Sequence, residues 1–167
     1  MAAKRILLLG APELWRKCTA VKDIALPETK MTIRGLRDTL ADFRKKNGFG
    51  RGIAAPQIGV LKRIIYVHFP KAGISGALIN PRIVKRSRTR IRLWDDCFSF
   101  PELLVKVQRA REVTVSCTNE KGENCVIAAK DDLAELLQHE IDHLDGILAV
   151  QRAIDNRSFA WRKEETR

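Results

Sequence analysis

The sequence predicts an α+β fold, a compact single domain in which mixed or antiparallel β-sheets surround one central helix. Three observations predict it: a long stretch with apolar residues at helical spacing, several short β-branched runs broken by Gly, Pro and Asn, and a second helical stretch bearing two histidines four residues apart. The 167 residues are one domain's worth of chain, taken as 1–167. A chain of this length buries enough surface to fold without a disulfide framework or a structural metal.

In chain order, residues 32–46 carry Ile33, Leu36, Leu40 and Phe43 on one helical face and end at Asn47-Gly48, an amphipathic helix with a glycine stop. A glycine-rich turn follows from Gly48 to Gly52. Residues 63–68, 77–79 and 112–118 are β-branched runs between turn residues and read as strands. A second helix begins near Asp131, whose side chain can cap free amides while Asp132 favours the positive end of the helix dipole. It runs to about Leu144, before Gly146.

Net charge is +11. It is unevenly spread: residues 1–94 hold 21 basic and 5 acidic side chains, residues 95–167 hold 10 and 15. The excess peaks at Arg82, Lys85 and Arg86, and Arg86, Arg88, Arg90 and Arg92 alternate at the spacing of one strand face. Such a face is either solvated or a footprint for polyanions. Cys18, Cys97, Cys117 and Cys125 lie far apart and no basic-then-apolar leader precedes them, which points to a reducing cytoplasm. Cys117 and Cys125 are expected as ordinary buried thiols. The longest uncharged apolar stretches, such as residues 6–11, fall well short of the ~20 residues of a membrane span.

The chemistry is carried by His139-Glu140-Ile141-Asp142-His143. Imidazoles four residues apart lie ~40° apart around a helix and can grip one metal ion. Chance places this pattern in roughly three of a thousand chains of such composition. His68, alone within a β-run, reads as a core or surface residue and stays outside the site. A hydrolytic metal site needs three protein ligands and an open position. The longer zinc-protease pattern HExxHxxGxxH finds Gly146 but then Ala149 where its last ligand should stand. Among the cysteines, only Cys97 has a marked context, Trp94 to Glu102.

Three ordered motifs then carry a resemblance. Gly50-Arg51-Gly52-Ile53-Ala54-Ala55-Pro56-Gln57 matches GxGxAAxQ, Cys97-Phe98-Ser99 the core of EGCxS, and residues 138–144 the HExDH region. Together they resemble the peptide deformylases, as do Ile79-Asn80-Pro81 and residues 59–67 and 107–115, covering most of the chain to about Gly146. The resemblance implies a peptide deformylase-like fold around an HExxH metal-binding helix. It implies Cys97, His139 and His143 as ligands of one divalent ion. Ferrous iron is the ion implied, with nickel, cobalt or zinc able to replace it. Glu140 would shuttle protons, and Gln57 with the Phe98 backbone N–H would steady the oxyanion. The substrate implied is the N-formyl-methionyl end of a nascent polypeptide, releasing formate, and the basic face suggests ribosome contact. Gly50 and Gly52, with Ile53, would let a peptide approach backbone to backbone.

Departures from the family pattern concern specificity. Asp95-Asp96 replaces Glu-Gly, so Asp95 shortens a carboxylate by one methylene and Asp96 adds a charge beside the substrate channel. On the helix, Asp132, Glu135 and Leu136 share the face of His139, where the family carries aliphatic groups. Two readings of Asp132 stand: a capped first turn facing water, or an acid-lined pocket for a polar or cationic formamide. Such a pocket would need a partner for its carboxylates. A non-catalytic ribosome- or RNA-binding homologue is the third possibility.

Overall fold

Among the described residues 3–165 of a computed structural model, eight strands form two sheets whose named pairings are all antiparallel. The expected domain span exceeds these residues by two at each end. The larger sheet has the order β1 (Gly52–Ala54), β2 (Ile64–Phe69), β3 (Ile74–Arg86), β6 (Glu112–Thr118) and β7 (Asn124–Lys130). The smaller comprises β4 (Arg90–Asp96), β5 (Leu103–Ala110) and β8 (Phe159–Trp161). The helices are α1 (Pro27–Asn47), α2 (Asp131–Leu144) and the short α3 (Arg162–Glu165).

Strand periodicity decides which helix each strand residue meets. Ile53 and Ile64 pack with Leu36, Leu40 and Phe43 of α1. Their neighbours Ala54, Ile65 and Val67 pack with Leu133, Leu137, Ile141 and Leu144 of α2. β1 and β2 are thus clad on both faces, and the first residues of β2, Ile64 to Val67, read as a continuous run rather than an alternating one. A third cluster, including Leu14, Val105, Val107 and Leu148, lies beneath Cys97.

α1 begins five residues before the expected start, because Pro27 occupies its first turn, where a missing N–H costs nothing. It ends at Gly48, φ 78°, as expected. α2 has the expected bounds but not the expected cap: its N-cap is Lys130, without a side-chain cap. Asp131, at φ 49°, instead pairs with Arg111 at 2.8 Å.

Two other expectations are corrected. The arginine run is not one strand face, since residues 87–89 turn the chain from β3 in one sheet to β4 in the other. The turn preserved the alternation that a continuous strand would show. Cys117 and Cys125 are not thiols: they stand directly opposite in the β6–β7 ladder and form a disulfide.

Candidate metal centre

α2 is held in register by Gln138, whose carboxamide accepts from Ala110 N (3.0 Å) and donates to Ala110 O (2.8 Å). This presents His139, Glu140 and His143 toward the turn after β4, where Cys97 stands. The leading segment ties that turn to another: Leu7 N–H donates to Gln57 O and Leu9 N–H to Ser99 O, both at 2.8 Å. The ligand atoms of Cys97, His139 and His143 lie within 4.8 Å of one another, all buried. Cys97 Sγ is 3.2 Å from His143 Nε2. A thiolate and two neutral imidazoles are three donors for a borderline-soft divalent ion, with a fourth position left for water or substrate. Asp95, Glu135 and His139 form a second trio as close. Its carboxylates are already engaged by cations, so the Cys-His-His set is the one that fits a metal.

Behind His139, Asp95 Oδ1 lies 2.7 Å from Nδ1. Asp95 Oδ2 accepts from Arg109 Nε (3.0 Å) and Nη2 (2.7 Å). Burial opposes the charge on Asp95, but His139 and Arg109 outweigh it and hold the carboxyl well below its usual range. The ring is thereby oriented, as a carboxylate does for a metal-bound histidine. Burial likewise opposes charge on His139, and Asp95 overcomes it and raises the pKa. At His143 burial prevails and the ring stays neutral. Arg109 reaches further, to Asp142 at 2.9 Å, which Arg152 also grips. Asp95 was noted in the sequence for its length alone, and Arg109 drew no notice.

A cavity of about 600 Å³ opens beside this trio, with Gly50, Gly52, Gln57, Cys97, Phe98 and Glu140 in its wall. Glu140 is 3% exposed, its Oε2 has no partner among the described residues, and burial raises its pKa to about 7. Gln57 Oε1 accepts from Ala54 N at 2.9 Å, which turns Nε2 toward Cys97 Sγ (3.6 Å) and Ser99 Oγ (3.2 Å). The Phe98 ring stacks on Phe43, centroids 3.8 Å apart.

Gly50 and Gly52 line the cavity, and each also leaves room for a neighbouring side chain. A Cβ on Gly52 would stand 2.7 Å from Glu140 Oε1 and 3.0 Å from Leu136 Cδ1, and one on Gly50 2.6 Å from the Phe98 ring. The space beside them is filled by this chain's own side chains. Gly52→Ala should therefore push Glu140 aside and lower kcat of any reaction that Glu140 serves by about a hundredfold at unchanged metal content. An unchanged kcat would show that Glu140 tolerates the methyl. Period-2 alternation turns the Ile53 side chain, 0% exposed, to the α1 face, so only its backbone, in the edge strand β1, remains for a peptide to approach.

The acidic residues expected along the pocket, Asp96, Asp132 and Glu135, do line the cavity, and two of them have the partners that burial demands. Glu135 pairs with Arg51 at 2.6 Å and Asp96 with Arg162 at 2.7 Å, while Asp132 is exposed at the rim. Arg162 also lies over the Phe49 ring, 4.1 Å from its centroid. Leu136 is the apolar member of the face, as read. His68, set aside in the sequence, does reach the cavity wall from β2.

A model of the family described as polypeptide deformylase matches residues 3–158. Peptide deformylase 2 of Clostridium perfringens is 40% identical over 153 residues, 92% of this chain and 94% of that one. A peptide deformylase of Natranaerobius thermophilus is 38% identical over 99% of both chains. Among solved structures, a peptide deformylase from Synechococcus elongatus in complex with actinonin superposes with a TM-score of 0.82 at 31% identity, covering 90% of this chain and 79% of that one. One from Thermotoga maritima gives 0.83 at 29%, covering 93% and 100%.

Proposed function

The chain belongs to the polypeptide deformylase family and is a hydrolase of that type, and on that premise we propose how its own residues divide the work of removing a formyl group from a nascent peptide. Cys97, His139 and His143 hold one divalent ion. Iron is the proposed physiological ion, and the same donors accept nickel, cobalt or zinc. The ion, when bound, supplies a Lewis acid that polarises a carbonyl and acidifies water.

Glu140 takes a proton from the attacking water and returns it to the departing amide nitrogen. A buried carboxyl whose pKa approaches neutrality suits both transfers. Gln57 Nε2 and the Phe98 N–H, which has no backbone partner among the described residues, donate to the developing oxyanion. Asp95 holds the His139 ring in place, and Arg109 holds Asp95. The observation that carries this reading is the convergence of three buried donors with an unpartnered carboxylate oxygen in one cavity wall.

The carboxylates of the pocket meet arginines of the same chain, which supports a formyl-methionyl substrate over a cationic one. Actinonin held by the Synechococcus relative supports a peptide-like ligand. A nascent-chain substrate supports action in the cytoplasm, and the basic excess of residues 1–94 supports contact with ribosomal phosphates, which added salt should weaken. Among the described residues no helix is long and apolar enough to cross a membrane.

The test is formate release from formyl-Met-Ala by nickel-loaded protein, lost on chelation and restored by metal. Turnover that survives full removal of metal would refute the reading. Gln57→Leu, which keeps the bulk but removes the donor, should lower kcat by about a hundredfold to a thousandfold with KM little changed. A KM effect alone would assign Gln57 to binding rather than to the oxyanion.

A further inference from the structure

A second cavity, of about 280 Å³, shares no wall residue with the first. Arg86 and Arg90 enter it from either end of the β3–β4 turn, Arg152 from the 3₁₀ turn Ala149–Arg152, and Arg109, Gln138 and Asp142 complete it. Part of this charge is already matched. Arg109 lies between Asp95 and Asp142, and Arg152 closes on Asp142 at 2.8 Å. The side chains of Arg86 and Arg90, both exposed, have no hydrogen bond or ion pair among the described residues, and the only acidic group in the wall, Asp142, is already held by two arginines.

Two unmatched guanidiniums facing one polar recess repel each other and call for a compact anion of charge about −2. The volume lies at the small end of the ~300–1,000 Å³ of small-molecule sites, which suits a phosphate with a modest substituent. A nucleic-acid backbone fits less well. Each of its diesters carries one charge, and a continuous strand spans a surface rather than entering a recess. Arginine's planar fork is matched to phosphate oxygens.

We propose that this cavity is a phosphate site for the terminal phosphate or pyrophosphate group of a small molecule, clamped by Arg86 and Arg90. The site goes beyond the deformylase reaction: its wall shares Arg109 and Gln138 with the support of His139 and α2, while Arg86 and Arg90 take no part in that support.

Isothermal titration of nickel-loaded protein with inorganic phosphate and with pyrophosphate, at constant ionic strength, tests it. The parent should bind one equivalent, and Arg86→Ala/Arg90→Ala should weaken that binding at least tenfold, since each charge-assisted bond contributes enough for such a change. Formate release by the double variant should stay within about twofold of the parent, because neither arginine touches the Asp95–Arg109 pair. Three results would overturn the proposal: no phosphate or pyrophosphate binding at about 1 mM, equal affinity in the double variant, or an RNA oligonucleotide lacking terminal phosphates that displaces pyrophosphate with the same arginine dependence. The last would make the arginines a nucleic-acid surface instead. Loss of formate release in the variant would mean that the fold, not the clamp, had been disturbed. Binding would then be read with Arg86→Lys/Arg90→Lys, which keeps charge but loses the fork: weakening again sustains the clamp, and unchanged affinity refutes it.

Discussion

Glu140→Gln should lower kcat for formyl-Met-Ala by about a hundredfold to ten-thousandfold, the usual contribution of a positioned acid–base group. Metal content, read by elemental analysis, should not change, since the three donors belong to Cys97, His139 and His143. The carboxamide keeps the size of the side chain in the space that Gly52 leaves open, so packing is preserved and only proton transfer is lost. Stability of the metal-free protein gives an independent check. Burial raises the Glu140 pKa from the ordinary 4.5 to about 7, so the folded state holds its proton more tightly than the unfolded chain. The stability this contributes is whole below pH 4.5 and is lost as pH rises through about 7. At pH 8 the metal-free variant should therefore melt no lower than its parent. Retained turnover would remove Glu140 from the reaction.

The largest stability effect is expected at Arg109→Met. The guanidinium is 4% exposed and donates twice to Asp95 and once to Asp142. Methionine is of similar length, so the loss is of charge and hydrogen bonds more than of volume. Removing one partner of a buried ion network leaves the other charges uncompensated and typically costs about 3–5 kcal/mol, to be read from urea unfolding of the metal-free protein. Because Asp95 would then hold the His139 ring less firmly, metal affinity should also fall, by about ten- to a hundredfold. A loss of stability below about 1 kcal/mol would show that His139 alone satisfies Asp95. Arg109→Lys should lie between, keeping the charge without the two-pronged contact.

The parts of the site legible in the sequence are those where local spacing sets geometry. Two histidines four apart on a helix must face one way, and that follows from helical pitch alone. Cys97 was legible only through its motif, because its approach to α2 depends on how the smaller sheet meets the larger. Arg109 was not legible. It is 14 residues from Asp95 across the β4–β5 hairpin, and only the register, with Asp95 opposite Val105, brings the long side chain within reach. Arg51 and Glu135, 84 residues apart, meet through the packing of α2 on β1. Helix angles placed Asp132, Glu135 and Leu136 along the cavity, but not the cations that meet Glu135 and Asp96 there. The Cys117–Cys125 pair could have been found, since a sequence separation of eight, with Asn119 and Gly122 between, suits a hairpin that sets them opposite. The arginine run misled because period 2 persisted through a turn that the sequence marks only with Ser87 and Thr89.

The two amide rungs from Leu7 and Leu9 join loops that come from distant parts of the chain, one bearing the Gln57 carboxamide and the other the Cys97 thiol. The Gln57 carboxamide also reaches Cys97 Sγ and Ser99 Oγ, so these backbone rungs and that side chain together set the spacing between donor amide and sulfur. Loss of either rung would reach the reacting centre before it reached the sheet, which makes residues 7–9 a hinge-pin of the catalytic geometry.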